Sequence, residues 1–428
     1  MSRQSSNAFC PDLEPSYASK IRLYMVHLLT RVTRAVSSID LPVAPCNYTA
    51  RSLPRQAHCC ENQDMSPPTT PACITHGMPR RRFLLATGLA GLAWTGPACA
   101  LPARTMQFPR DFGSHPDFRT EWWYITGHTA AGGREFGFQL TFFRSRVEGT
   151  QAMVSRFAAR QLLFAHAAIT DVQGKKLWHD QRIARDGFGV AFASEADMHI
   201  KLRDWSLQGR GSRYTAELPA TDFALKLQFE ETQAVLLQGR QGLSRKGPQE
   251  KQASYYYSQP QLATRGTLQL KGQAFEVTGK AWLDHEWSEE VLHPSATGWD
   301  WIGMNLDDGS ALTAFRLRDK DGSALWDGGS FRSPKAGLYT FNRGEVIFKP
   351  VRSWKSPLTQ ASYPVEWIVR TPADYYTVRA VIDNQELDSR QSTGAVYWEG
   401  LSELIDSNGK RVGSGYLEMT GYAQRLRL

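Results

Sequence analysis

The segment EFGFQLTFF, residues 135–143, decides the fold class of this chain. Its large apolar side chains occupy alternate positions, the period of an extended strand with one face towards a core; they are Phe136, Phe138, Leu140 and Phe142. Similar alternating segments fill the chain after Ala100, separated by turns rich in Gly and Asp. The sequence therefore predicts an all-β protein of successive antiparallel hairpins, and long meanders of this kind avoid bare edges by closing into barrels.

The alternation is interrupted at LHPSAT, residues 292–297, where Pro294 and small residues follow a Trp-rich segment. A proline and a run of small residues are typical of a connection between structural units. We therefore predict an N-terminal β domain over residues 104–293 and a C-terminal β domain over residues 294–428.

Residues 1–100 have a different character. After Met78 the sequence continues PRRRFLLATGLAGLAWTGPACA, in which RRRFL matches the twin-arginine pattern and the small residues of the final ACA suit a signal peptidase. The apolar run between them is too short to span a membrane. We expect residues 78–100 to be a twin-arginine signal peptide, residues 1–77 to be a disordered upstream extension, and the mature protein to be periplasmic or secreted, without stable membrane insertion.

The cysteine and charge distributions narrow the function of the mature chain. All six cysteines lie at or before Cys99, so residues after Ala100 form neither disulfides nor thiolate metal sites. Residues 1–100 hold ten of the 50 lysines and arginines and five of the 42 acids, which leaves 40 basic against 37 acidic residues. This balance excludes a nucleic-acid partner, because such proteins carry a large and clustered basic surface.

Tryptophan is concentrated in three short windows, EWWYITGH (121–128), GKAWLDHEWSEE (279–290) and GWDWIGMNL (298–306). They hold six of the twelve tryptophans after residue 100 and interleave them with carboxylates and histidines. Dense aromatic residues beside polar groups are typical of an apolar ligand site with polar anchors. The alternative is a barrel core whose indoles hydrogen-bond to the nearest carboxylates. The predicted ligand-binding residues are Trp122, Trp123, Tyr124, Trp282, Trp287, Trp299 and Trp301.

Strand parity selects the candidate catalytic residues. In WLDHEW, His285 shares a face with Leu283 and Trp287, which suggests a proton carrier at the ligand or a core histidine bonded to a carbonyl or hydroxyl group. Asp284 and Glu286 lie on the opposite face, where we expect them to pair with arginine or cap a turn.

Two carboxylates also fall on apolar faces: Asp300, in line with Ile302 and Met304, and Glu121, in line with Trp123. An unpaired carboxyl there has a raised pKa, as a general acid requires. The alternative for both is a structural carboxylate bonded to strand N–H groups or to an indole.

Several common sites are absent from the sequence. HEWSEEVLH, residues 285–293, resembles a zinc-protease helix, but position 289 is Glu where H-E-x-x-H requires His. There is no G-x-S-x-G nucleophile segment and no phosphate-binding loop. We expect neither a metal nor a cofactor.

Several segments of the sequence together resemble a known family. HPDF (115–118), EWWYITGHT, REFGFQLTFFRS (134–145), YYYSQPQLATRGTL (255–268), WLDHEWS and GWDWIGMNLDDGSALTAFRLRDKDG (298–322) are similar to AttH-type secreted proteins, which are grouped with carotenoid 1,2-hydratase (CrtC) and CrtC-like pericyclases. The resemblance extends from about Phe108 to the C-terminus. It implies two lipocalin-like antiparallel β-barrels in tandem, with an apolar site at or near their junction.

Two functions are compatible with this resemblance. One is acid-assisted hydration or cyclisation of a C=C bond in an isoprenoid-like molecule, with Asp300, His285 and Glu121 as catalytic candidates. In the hydratase branch we expect an acid in the strand after GWDW, but ALTAFRL, residues 311–317, has none, which favours the broader AttH branch. The other is a non-catalytic periplasmic carrier of a small apolar ligand that works with ABC-transporter components.

Overall fold

A computed structural model describes residues 101–290 and 292–426. The predicted extension and signal peptide therefore lie outside the described residues. Within the described part there is no α-helix; two 3-10 helices, Arg110–Phe112 and Glu148–Thr150, are the only helical turns, and no helix is long and apolar enough to cross a bilayer. The prediction of an all-β protein with two tandem lipocalin-like barrels is confirmed.

The first sheet has thirteen strands in the order β4-β3-β2-β1-β13-β12-β9-β8-β7-β6-β5, with β10 and β11 also paired to β12. The strands are β1 (Thr120–Ala131), β2 (Arg134–Arg146), β3 (Gln161–Asp171), β4 (Lys176–Arg185), β5 (Ala191–Ala193), β6 (His199–Leu202), β7 (Trp205–Arg210), β8 (Arg213–Pro219), β9 (Phe223–Glu230), β10 (Leu236–Leu237), β11 (Leu243–Arg245), β12 (Ala253–Leu270) and β13 (Gln273–Ser288). Its first strand pairs with its last, so the chain returns beside its starting point.

The second sheet has ten strands in the order β17-β16-β15-β14-β23-β22-β20-β19-β18, with β21 also paired to β22. They are β14 (Gly298–Leu306), β15 (Ala311–Arg318), β16 (Ala324–Ser333), β17 (Gly337–Phe341), β18 (Ile347–Lys355), β19 (Ser362–Arg370), β20 (Tyr375–Ala380), β21 (Glu386–Ser389), β22 (Ala395–Ile405) and β23 (Arg411–Met419). Again the first strand pairs with the last. The predicted domain boundary at residues 293 and 294 falls in the connection between β13 and β14.

Each sheet encloses its own apolar core, and a third apolar cluster lies between the sheets. Strands β1, β13, β14, β22 and β23 contribute to this third cluster with the face that is turned away from their own core. The sheets approach closely where Gly137 of β2 meets β22 and β23, since a Cβ atom there would lie 2.6 Å from the Tyr416 hydroxyl and 2.9 Å from Leu401 Cβ. The strands that carry the Trp-rich windows are thus buried on both faces.

Candidate functional site

A cavity of about 620 Å³ lies between the two sheets. It is bounded by the outward faces of both sheets, and the interior of each barrel is filled by its own core. A cavity of this size suits one small apolar molecule. It lies at the junction of the two barrels, where the family resemblance implies a site.

Cross-strand rows build the wall from the first sheet. His166, Thr141, Tyr124 and Asp284 are consecutive partners across β3, β2, β1 and β13. Side chains of directly paired residues lie on the same face of a sheet. All four line the cavity, and the next row adds Phe164, Phe143, Trp122, Glu286 and Tyr256.

The opposite wall is built the same way from the second sheet. Phe315, Trp301, Glu418 and Glu399 are consecutive partners across β15, β14, β23 and β22, and all four line the cavity. Two carboxyl groups on directly paired strands repel each other when both are charged. The wall thus brings two acids together beside two aromatic rings.

Asp284 is a buried acid with three hydrogen-bond donors. Ser258 Oγ and Trp282 Nε1 both donate to Oδ1 at 2.6 Å, and the Tyr256 hydroxyl donates to Oδ2 at 2.6 Å. Burial nevertheless raises the pKa of Asp284 to about 7, since the donors only partly oppose it and the charge of Glu286 adds to it. Asp284 therefore exchanges a proton near neutral pH.

Glu286 is paired with the one lysine that lines the cavity. Lys246 Nζ lies 2.9 Å from Glu286 Oε1, both side chains are almost fully buried, and Ser254 Oγ donates to the same carboxylate oxygen. The ammonium group also lies 4.3 Å from the Phe315 ring centroid and 4.7 Å from that of Tyr256. We expected Glu286 to pair with arginine or cap a turn; its partner is this lysine.

Glu418 and Glu399 form a coupled acidic pair. Burial raises the pKa of Glu418 to about 7; the Trp299 indole opposes this rise, and the charges of Asp284 and Glu286 add to it. Burial and the neighbouring Glu418 raise the pKa of Glu399 well above its usual range. Glu399 is almost fully buried, whereas Glu418 is half-buried and reaches the cavity surface. Both acids line the cavity, and Glu418 is the more accessible of the two.

The predicted site residues divide between this cavity and the two cores. Trp122, Tyr124, Trp299 and Trp301 line the cavity, and Trp282 supports it through the hydrogen bond to Asp284. Trp123 and Trp287 are fully buried in the core of the first sheet. Strand parity accounts for this division, because neighbouring residues of a strand point to opposite faces.

Glu121 and His285 meet inside the first sheet, away from the cavity lining. Glu121 Oε1 lies 2.7 Å from His115 Nδ1 and 3.0 Å from His285 Nε2, while Arg144 Nε donates to Oε2 at 2.8 Å. Burial lowers the pKa of His285 to about 4. Hydrogen bonds from the two histidines and the charge of Arg144 outweigh burial and hold the pKa of Glu121 well below its usual range. This carboxylate does not have the raised pKa of a proton donor.

His115, Glu121 and His285 are the only group of His, Cys, Asp and Glu side chains among the described residues whose arrangement matches a metal site. Their potential ligand atoms lie within 4.8 Å of one another. Their atoms already have protein partners. His115 Nε2 lies 3.1 Å from Asp111 Oδ1, and His285 Nδ1 lies 3.1 Å from the Tyr257 hydroxyl. The Arg144 guanidinium also supplies a positive charge where a cation would bind. The cluster is a closed hydrogen-bond network with the character of a core support.

Asp300 lies in the second sheet, turned towards its core and away from the cavity lining. Arg316 Nε donates to Oδ2 at 2.7 Å, Arg318 Nη1 donates to Oδ1 at 2.6 Å, and the Tyr422 hydroxyl donates to Oδ1 at 2.9 Å. The carboxylate is fully buried, and two guanidinium groups compensate its charge. The prediction of Asp300 as a general acid assumed that its carboxyl group is unpaired. In the structure Arg316 and Arg318 pair with it.

Sequence reasoning did not select Glu399, Glu418 or Lys246. The signal for both acids was present, because AVYWEGL and GYLEMTGY each carry one carboxylate in an otherwise apolar or aromatic strand. Their pairing was not visible, since 18 positions separate them and the register of β22 on β23 is a tertiary feature. Lys246 lies in the connection between the short strand β11 and the long strand β12, outside any periodic pattern.

The chain has clear relatives. A family model described as AttH-like matches residues 99–422. The crystal structure of a protein described as AttH, from Nitrosomonas europaea, is 45% identical, covers 76% of this chain and 99% of its own, and has a TM-score of 0.71. Kievitone hydratase from Nectria haematococca is 11% identical, with coverage of 76% and 98% and a TM-score of 0.57, a likeness of fold alone. No protein of curated function shows significant sequence similarity.

Proposed function

The chain belongs to the AttH-like family, and on that premise we propose that it binds an elongated apolar molecule of isoprenoid or lipid type in the junction cavity and catalyses acid-assisted hydration or cyclisation of a C=C bond. One observation carries the proposal: Glu418 faces an aromatic cavity that five further carboxyl groups also line, those of Asp284, Glu286, Glu289, Glu290 and Glu399. The fold shared with a protein named as a hydratase is compatible with this chemistry.

Glu418 is the proposed general acid. Its carboxyl O–H protonates one alkene carbon, and the electron pair of the double bond forms the new C–H bond. Water or an internal alkene then adds to the resulting cation, and the proton lost in that step returns to the Glu418 carboxylate or to a neighbouring carboxylate. A carboxyl group with a pKa of about 7 retains its proton near neutral pH and releases it readily.

The aromatic lining supports the cationic intermediate. Trp122, Trp299 and Trp301 line the cavity around the acids, and indole faces attract cations by about 2 kcal/mol each in a desolvated site. The Lys246 ammonium group opposes a nearby cation, but the paired Glu286 carboxylate offsets its charge. We therefore assign the cationic carbon to a position against these indole faces.

The test compares Glu418→Gln with wild type in D2O, using geranylgeraniol and squalene as acyclic alkenes. Mass spectrometry of wild-type products should show one carbon-bound deuterium, with a gain of one water on hydration or none on cyclisation. Glu418→Gln should bind cis-parinaric acid like wild type and lose turnover. Glu403→Gln, on the same strand β22 as Glu399 but outside the cavity, is the matched control and should retain turnover. Equal turnover by Glu418→Gln would refute the assignment.

The pH profile provides a second readout. Because the reaction needs the protonated form of Glu418, the rate should fall as pH rises through about 7. The negative charge of Asp284 raises the pKa of Glu418, so Asp284→Asn should move this falling limb to lower pH. An unshifted limb in Asp284→Asn would show that the two carboxyl groups are not coupled.

A non-catalytic carrier is the second candidate, and the hydrogen bonding of the cavity favours it. Both oxygens of Asp284 already accept protein donors, and Glu286 already has Lys246 and Ser254 as partners. Carboxylates satisfied in this way can serve structure alone, and ABC-transporter components would then be the partners. For a carrier, wild type and Glu418→Gln should bind parinaric acid alike, neither should incorporate deuterium, and solvent extraction of the purified protein should release a single unmodified apolar compound.

A further inference from the structure

Two neighbouring loops of the first sheet expose large apolar side chains to solvent. One loop, residues 147–160, connects β2 to β3; the other, residues 186–190, connects β4 to β5. Together they form what we call the apolar tip, whose side chains and exposed fractions are Val154 95%, Phe157 77%, Phe188 56%, Met153 50% and Val190 41%. Apolar side chains grouped in this way on a protein surface are typical of an interaction site.

The two loops of the apolar tip contact each other. The rings of Phe157 and Phe188 stack with centroids 5.6 Å apart at an interplanar angle of 14°. The Arg185 guanidinium lies 4.2 Å from the Phe188 centroid, and Arg160 Nη2 donates to the Met153 carbonyl oxygen at 2.7 Å. The ring stack joins the two loops, and the Arg160 bond closes the first loop on itself.

Arginines without carboxylate partners surround the tip. Arg156, Arg160, Arg185 and Arg203 have no carboxylate oxygen within 4.0 Å among the described residues, although many other arginines of the described chain are paired. The side-chain bonds that Arg160, Arg185 and Arg203 form go to backbone carbonyl oxygens. The two loops contain two acids, Glu148 in the first and Asp186 in the second, and Glu148 pairs with Arg146. The ring around the apolar tip is therefore cationic.

We propose that the apolar tip docks peripherally on an anionic lipid surface, with the phenylalanines and Val154 in the interfacial region and the arginines on lipid phosphate groups. An exposed apolar cluster within a ring of unpaired arginines complements both parts of such a surface. A second copy of the chain would bring its own cationic ring against this one, which disfavours a symmetric self-interface. The inference goes beyond the proposed function and does not depend on it.

The position of the tip relates it to the cavity. Val147 N donates to the Arg160 carbonyl oxygen at 2.9 Å, which closes the base of the first loop. The adjacent Arg146 lies 3.9 Å from Glu289, and both Glu289 and Ser145 line the cavity. The base of the loop thus adjoins the rim of the cavity, so docking brings that rim towards the source of an apolar ligand.

The test uses the full chain with vesicles of pure phosphatidylcholine and vesicles containing phosphatidylglycerol. Phe157→Ser with Phe188→Ser should weaken binding to the anionic vesicles at least about tenfold. Arg156→Gln with Arg203→Gln should weaken it about fivefold per arginine and reduce its salt dependence. The matched controls are Leu358→Ser and Arg379→Gln, which change exposed residues of the second barrel and should leave binding unchanged.

A local measurement separates the tip from any other lipid-binding segment. Amide hydrogen exchange over residues 147–160 and 186–190 should slow when phosphatidylglycerol vesicles are added, and the double phenylalanine variant should lose this slowing. Unchanged exchange in both loops, or vesicle binding that the variants do not alter, overturns the proposal. So does a dimer of the wild-type chain that the phenylalanine substitutions dissociate, because the tip would then be a self-interface.

Discussion

Asp284→Asn should destabilise the protein at acidic pH and stabilise it at alkaline pH. In the folded chain the pKa of Asp284 is about 7, against an ordinary value of 3.8, and each unit of difference corresponds to about 1.4 kcal/mol. The folded state therefore binds more protons than the unfolded state between these values. The resulting loss of stability is about 4 kcal/mol as pH rises from about 4 to above 7.

The substitution removes this pH-dependent loss of stability and introduces a smaller loss, that of one hydrogen bond. An asparagine can still accept hydrogen bonds from Ser258 and Trp282 at Oδ1, but its NH2 group faces the Tyr256 hydroxyl, which loses its acceptor. One lost hydrogen bond costs about 1–2 kcal/mol. Asp284→Asn should thus be less stable than wild type by about 1–2 kcal/mol at pH 4 and more stable by about 2–3 kcal/mol at pH 8.

Urea denaturation at pH 4 and pH 8, followed by tryptophan fluorescence, measures both differences. Asp222→Asn, in an exposed turn, controls for the loss of one negative charge and should leave the pH dependence unchanged. If Asp284→Asn and wild type lose stability equally between the two pH values, the carboxyl group is not the buried acid described above. The cavity would then lack a buried acid with a raised pKa at position 284.

The remaining predictions concern the leader and the two cores. N-terminal sequencing of the exported protein should begin at Leu101, and a mature product that retains residues 1–77 would contradict the signal-peptide prediction. Trp287→Ala should lower the free energy of unfolding by about 3–5 kcal/mol, because this buried ring stacks 3.8 Å from His115; an unchanged thermal midpoint would show that the ring is not buried. Asp300→Asn should cost about 3–5 kcal/mol in denaturant unfolding, because the buried guanidinium group of Arg318 loses its partner, and wild-type stability would contradict that pairing.

The fold class was predictable because side-chain alternation is a local property. The WLDHEW window illustrates how far this reaches: Asp284 and Glu286 do lie on one face of β13, with Leu283, His285 and Trp287 on the other. Parity separates two faces but does not say which one lies in a barrel core. In a strand buried on both sides, hydrophobicity does not distinguish them either.

The site was predictable only in part for the same reason. Trp122, Trp299 and Trp301 line the cavity, whereas the carboxylates selected from their apolar faces, Glu121 and Asp300, have partners that are remote in sequence. Their compensating arginines lie on neighbouring strands, and only the strand pairing reveals them. Whether a carboxylate on an apolar face is unpaired therefore depends on its cross-strand neighbours, and these are set by the strand register.

The most direct test of the junction cavity as the ligand site is to fill it. Ala395 lines the cavity at the start of β22, and Ala395→Trp should occupy it with an indole. This variant should lose binding of cis-parinaric acid while its thermal midpoint stays close to that of wild type. Ala324→Trp, at an exposed position of β16, should bind normally. Undiminished binding by a folded Ala395→Trp variant would show that the ligand binds outside the junction cavity.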